Sequence, residues 1–276
     1  MTSVGPEKWF RPLEVVLLVL GCLLVRCSAT VETPSAVQLK LAGSTSMKDL
    51  LEELAGAYTT RYGWVSIDMD PRGTQLGLDA LREGAVDVAL VARELRPDET
   101  QGIEAAVIAY DAVAVIVNGQ NPTDDLTIEQ LRGIYAGQIL VWSELGGQEA
   151  DIQVASREDG SGTREAFESA VMEGESVTTM AVVMPGNEAM GHFVEESPLG
   201  VGYVSSVGIP LGTRALRIDG VRPGVQAVAQ GTYPLIRPYV LVIREDAGQD
   251  VRSFVDFVLS PAGQVIVGQQ YGRVRQ

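Results

Sequence analysis

The spacing of apolar residues along this chain switches back and forth between two periods. Residues 37–42 (Val-Gln-Leu-Lys-Leu-Ala) alternate with period two and predict a strand. Gly43-Ser44-Thr45-Ser46 is a turn, and Met47, Leu50, Leu51, Leu54 and Tyr58 then recur at helical spacing, predicting a helix over 47–62. Residues 65–69 predict the next strand, 71–74 a loop, 75–83 a short helix and 86–91 a third strand. Such a β-loop-α rhythm predicts a parallel sheet with ligands at the C-terminal ends of its strands. Farther on, 108–118 predicts a long apolar strand and 127–135 a helix with Thr127 as its N-cap. Strands are predicted at 152–156, 200–204 and 237–243, and helices at 163–172, 224–230, 251–259 and 261–270. No repeat or hydrophilic linker divides the body, so any two lobes must interleave.

The first 35 residues break this pattern. Lys8 and Arg11 precede an apolar run over 13–25, interrupted only by Glu14, and a polar Ser/Thr/Pro stretch follows. This is the layout of an export signal. Val19-Leu20-Gly21-Cys22 resembles a lipobox, which places a lipid on Cys22. Cys27-Ser28-Ala29 offers a small-residue cleavage site, and an uncleaved anchor is a third reading. All three make the body extracytoplasmic, either tethered to the membrane or free. Both cysteines lie in this segment, so the body has no disulfide and no thiolate nucleophile.

Charge narrows the partners. With 21 Lys+Arg against 36 Asp+Glu the net charge is −15, which argues against a nucleic-acid partner, since that binding needs clustered cations. A small anion held by local donors is not excluded. His192 is the single histidine; it reads as a surface residue without a role, and neither a metal site nor a cofactor is expected. Trp142 reads as packing, and the acidic stretch 94–104 as a solvated helix face.

Three β-to-α junctions share one chemistry: Gly43-Ser44-Thr45-Ser46, Gly73-Thr74 and Gly160-Ser161-Gly162-Thr163. Each sets glycine and hydroxyls in front of a helix N-terminus, where free N–H groups and partial positive charge favour an anion. Arg157 adds a forked cation that matches a tetrahedral oxyanion. Any one junction also reads as a plain cap or turn, and Arg157 alone as a surface ion-pair residue; threefold recurrence points to a binding cleft. Ser161 lacks the Gly-x-Ser-x-Gly spacing of a hydrolase elbow.

The ordered blocks 42–46, 77–89, 108–118, 131–147, Arg157-Glu158-Asp159-Gly160-Ser161-Gly162-Thr163-Arg164-Glu165-Ala166-Phe167, 202–204, 233–238 and 260–264 resemble the phosphate-binding components of bacterial ABC importers, the PstS-like branch of the type 2 periplasmic binding proteins. The resemblance implies an α/β, two-lobed fold, each lobe a mixed, mostly parallel sheet flanked by helices. Two crossing strands at 108–118 and 233–243 would join lobes at 36–112 with 240–276 and at 113–239. It implies a non-enzymatic monomer that delivers inorganic phosphate to permease subunits. Thr45, Ser46, Thr74, Arg157, Ser161, Gly162 and Thr163 would bind the anion, with Ser44, Gly73, Arg93, Asp159 and Gly160 as further candidates. A changed ligand (sulfate or molybdate) or a sensing role is the alternative, and a phosphatase is disfavoured.

Two departures stand out. Gly73-Thr74-Gln75 replaces the family's Gly-Ser-Gly, and Val91-Ala92-Arg93 replaces a serine pair or Ser-Asp. Arg93 either reaches the ligand or pairs with Glu94 or another carboxylate. Selecting protonated phosphate over sulfate needs an acceptor, for which Asp70, Asp87 and Asp159 are candidates.

Overall fold

The structure, a computed structural model, describes residues 1–2 and 35–274. The export-signal reading, with Cys22 and Cys27, lies outside the described residues. Among those described, no helix is long and apolar enough to cross a membrane.

Among the described residues there are twelve strands: β1 (Val37–Gly43), β2 (Val65–Asp70), β3 (Val88–Val91), β4 (Ile103–Asn118), β5 (Asp125–Leu126), β6 (Gln153–Arg157), β7 (Val182–Met184), β8 (Gly200–Ser205), β9 (Thr213–Ala215), β10 (Arg217–Ile218), β11 (Ile236–Arg244) and β12 (Gly272–Arg273). Helices α1 (Lys48–Arg61), α2 (Thr74–Arg82), α3 (Ile128–Tyr135), α4 (Gly162–Val171), α5 (Gly186–Glu196), α6 (Val225–Gln230), α7 (Gln249–Leu259) and α8 (Pro261–Val267) accompany them. Ten strands form one continuous sheet in the order β2-β1-β3-β11-β4-β8-β6-β7, with β9 and β12 also on β4.

The outer strands pair in parallel, β1 with β2 and β3, and β6 with β7 and β8. The two central strands β4 and β11 run antiparallel to each other and to their neighbours. β4 is the spine. Its first part pairs with β11 from Ile103 to Ala112, and its second part pairs with β8 and β9 from Val113 to Asn118.

The two largest cores flank this spine. One gathers Leu41, Leu51, Leu54, Tyr58, Tyr239 and Phe254 from β1, α1, β11 and α7. The other gathers Val115, Tyr135, Trp142, Phe167 and Tyr203, with Phe167 stacked on Tyr203 at 4.2 Å. Along the end of β4, Val113, Val115 and Val117 enter this second core while Ala114 and Ile116 enter a smaller one with Met190 and Val194. Burial on both faces explains why residues 112–117 read as an unbroken apolar run. The result is the two-lobed α/β architecture expected from the resemblance.

The acidic stretch 94–104 corrects one expectation. It is not a helix face: Pro97–Glu99 makes a single 3-10 turn and β4 begins at Ile103. Glu99 is buried because Arg93 and Arg96 converge on it, so its charge is spent on internal pairing.

Candidate functional site

Three strand ends and the helices behind them meet between the lobes. β1 ends at Gly43, whose φ of 142° lets the backbone lie against Leu90; a Cβ there would sit 2.3 Å from the Leu90 carbonyl oxygen. The chain then runs through buried Ser44 and Ser46, whose hydroxyls lie 2.8 Å apart, into a 3-10 turn and α1. Gly73 donates to the Gly43 carbonyl at 2.8 Å, bringing Thr74 alongside. Thr74 is fully buried and its hydroxyl oxygen accepts from Ala92 N–H at 3.3 Å.

The facing wall grows from β6. Tyr203 fixes its end: the phenol donates to or accepts from Ser156 Oγ at 2.8 Å and accepts from Arg157 N–H at 3.2 Å. Burial pushes that phenol up to about 12, so it stays neutral. Beyond Arg157 the loop turns at Gly160, and Ser161 caps α4 by accepting from Arg164 N–H. The N–H groups of Gly162 and Thr163 belong to the first turn, which leaves them without intrahelical partners.

Arg157 is 1% exposed. Its Nε and Nη2 donate bidentately to Glu158 at 2.8 Å each, Nη1 donates to Asn187 Oδ1 at 3.1 Å, and Nη2 also donates to Thr45 Oγ1 at 3.3 Å. Thr45 comes from the opposite wall, so this guanidinium ties the two lobes. Burial pushes the Glu158 carboxyl up, but the Arg157 hydrogen bonds and charge, with backbone N–H groups including Gly186, more than offset it, and its pKa lies below the ordinary carboxylate value.

The walls touch. Gln75 N–H donates to the Gly160 carbonyl at 3.2 Å, and a Cβ on Gly162 would lie 2.3 Å from Thr74 Oγ1. A cleft of about 540 Å³ is lined by Thr45, Ser46, Asp49, Asn187, His192 and Ser205, among others; Thr45 and Ser46 line it, whereas Thr74, Arg157 and residues 161–163 do not.

The structure thus brings together Ser44, Thr45, Ser46, Gly73, Thr74, Arg157, Gly160, Ser161, Gly162 and Thr163. Asp159 is turned outward and paired with Arg164 at 2.7 Å. Asp70 pairs with exposed Arg72, and Asp87 accepts from Lys40 N–H. Arg93 is spent on carboxylates: Nη1 and Nη2 donate to Glu99 at 2.7 and 2.9 Å. Its Nε lies 2.6 Å from Glu165 Oε2 of α4, which Arg96 Nη1 also meets at 2.8 Å. Arg93 and Arg96 therefore latch one lobe to the other through Glu165.

Neutralising this latch gives a modest, readable effect. Glu165→Gln is expected to weaken anion binding about threefold, the scale of a partly exposed ion pair. Because salt screens such pairs, the variant's affinity should also fall less steeply with added sodium chloride than the parent's. Calorimetric titration at two salt concentrations checks both.

Sequence reasoning missed Glu158, Asn187 and Glu165, and also Asp111, Arg237 and Tyr239 at the lobe crossing. A signal for two of them existed: Asp111 and Arg237 are charged residues inside apolar strands, and such residues are buried only when paired.

A model of the PBP superfamily domain matches residues 28–262. The phosphate-binding protein PstS of Bacillus subtilis (strain 168) is 27% identical over 239 residues, 84% of this chain and 79% of that protein. Among solved structures, a Clostridium perfringens protein described as a phosphate ABC transporter substrate-binding protein, with bound phosphate, is 35% identical. It superposes with a TM-score of 0.83, covering 86% of this chain and 100% of that one. An ABC-type phosphate transport receptor from Vibrio cholerae is 30% identical with a TM-score of 0.73, again covering 86% and 100%.

Proposed function

We propose, from the premise that this chain belongs to the PBP superfamily and within it to the PstS-like phosphate-binding proteins of ABC importers, that it captures inorganic phosphate between its lobes and hands it to a membrane permease. The lobes are 36–112 with 240–276, and 113–239. The body is exported, acts as a monomer and binds without turnover. The observation that carries the reading is Arg157: a buried cation at the foot of a helix N-terminus, bonded to Thr45 across the cleft. Thr45, Ser46, Thr74, Ser161, Gly162 and Thr163 surround the anion with hydroxyl and N–H donors. These suit an oxyanion, and Ser161 also caps α4 by accepting from Arg164 N–H.

A second reading, another tetrahedral anion on the same fold, is favoured by one observation. The acidic candidates Asp70, Asp87 and Asp159 all bond elsewhere, so the carboxylates left to accept a phosphate proton are Glu158, held on Arg157, and Asp49 and Glu188 of the cleft lining. Calorimetry on ligand-stripped protein with phosphate, arsenate, sulfate and molybdate tests both. Phosphate and arsenate should bind saturably and displace one another. Heat from sulfate or molybdate instead would establish the second reading, and no heat from any of the four would sink both.

A further inference from the structure

We propose that Asp111, Arg237 and Tyr239 form a positioning cluster at the lobe crossing, which aims the Thr163 hydroxyl of one wall at the bound anion and anchors the Ser46 carbonyl of the other. The inference rests on the phosphate reading above and adds three residues that do not themselves touch the ligand.

Sequence places the cluster. Arg237 of β11 and Asp111 of β4 are register partners in the antiparallel crossing, and both are 1% exposed. Asp111 Oδ2 accepts from Arg237 Nε at 3.0 Å and Nη2 at 2.7 Å. Its Oδ1 accepts from the Ser205 and Ser206 hydroxyls at 3.0 and 3.3 Å. The carboxylate is fully engaged, so Arg237 is held as a fixed fork with Nη1 left over.

That remaining nitrogen donates to Thr163 Oγ1 at 2.6 Å. A guanidinium only donates and a hydroxyl carries one proton. The Thr163 O–H therefore cannot point back at Arg237 and is directed elsewhere, in the first turn of α4 where the anion is read. Tyr239 does the corresponding task for the other wall. Its hydroxyl lies 2.8 Å from the Ser46 carbonyl oxygen and 2.9 Å from Asp111 Oδ2, and it accepts from Arg237 Nη2 at 3.2 Å. With one proton to give, that hydroxyl donates to the Ser46 carbonyl or to Asp111, and the bond from Arg237 Nη2 ties it to the cluster in either case. One buried ion pair thus sets the Thr163 donor of one wall and holds the Ser46 backbone of the other, and being neutral as a pair it acts by position more than by field.

A double-mutant cycle separates positioning from mere support. The background is Asp111→Asn/Arg237→Gln, which leaves no buried charge unpaired. Thr163→Val removes the hydroxyl at constant shape. In the parent, Thr163→Val should raise the phosphate Kd by about tenfold, the scale of one lost hydrogen bond to a charged group. In the paired background the same change should cost less than about threefold, because the hydroxyl is no longer aimed; coupled neighbours behave this way. Ser161→Ala, outside the cluster, should cost the same in both backgrounds. Arg237→Lys provides an independent arm: its compact ammonium keeps Asp111 paired but lacks the rigid fork that holds Thr163 at the same time, so the Thr163→Val cost should again shrink. Equal Thr163→Val costs in the parent and in these backgrounds would overturn the proposal. A parent that binds no phosphate would instead overturn the functional reading on which it rests.

Discussion

Arg157→Ala is expected to raise the phosphate Kd by about 30-fold to several thousandfold, the range for removing one partner of a buried, hydrogen-bonded charge pair. Three losses combine. The anion loses its only fork-shaped cation among the residues assembled at the site. Thr45 loses the bond that draws its wall toward the other. Glu158, now without its bidentate partner, presents a bare carboxylate to an incoming anion. Ligand-free stability should fall as well, since a half-buried carboxylate is left without its counter-ion. Titration calorimetry with a parallel thermal melt reads both effects. An affinity within twofold of the parent would place the anion somewhere other than the foot of α4.

Gly162→Ala should strike closure while sparing the lobes. The added methyl would meet Thr74 Oγ1 at 2.3 Å, Thr74 Cβ at 3.1 Å and the Ala92 backbone at 3.4 Å. Thr74 cannot swing aside freely, because it is fully buried and its hydroxyl holds Ala92 N–H. Within its own lobe the change is benign: Gly162 opens a helix without a positive φ, and alanine favours a helix over glycine. The clash arises only where the two walls meet. Overpacking of this kind costs about 1–3 kcal/mol, which lowers phosphate affinity roughly five- to 150-fold while leaving the ligand-free melting temperature nearly unchanged. A large drop in that melting temperature with intact affinity would show that the contact supports the fold rather than closure.

Much of the architecture was legible because burial imposes its period on the sequence. β1 was expected at 37–42 and found at Val37–Gly43; α4 was expected at 163–172 and found at Gly162–Val171. α5 escaped notice for a physical reason. Its contact face is built partly from close approach rather than apolar bulk: a Cβ at Gly191 would press on Pro210, and Met190 rests where Gly202 lacks a side chain. With Gly191 between them the helical stripe shrinks to Met190, Phe193 and Val194, so Asn187, which α5 brings to Arg157, was hidden with it. At the site, the local motifs announced themselves, since a cap, two glycines and a hydroxyl lie within a few residues. Partners separated by long stretches did not. Thr45 and Arg157 are 112 residues apart, and nothing in either neighbourhood names the other. Arg93 shows the same limit: the sequence offered ligand or carboxylate, and only the arrangement in space directs it to Glu99 and Glu165.

β4 has a further consequence as the unbroken spine of both lobes. A cleft joined by flexible loops can gape widely and at random. Here the joint is a pair of hydrogen-bonded strands, and the β11 register shifts between Tyr239 and Val240, an irregularity of the kind that locally sharpens twist. Opening then means winding and unwinding a short ladder whose rungs stay made. Such a joint behaves as a torsion spring. On the proposed reading, rotation about that joint would keep the two walls in the same register, so each new anion would meet the same donors.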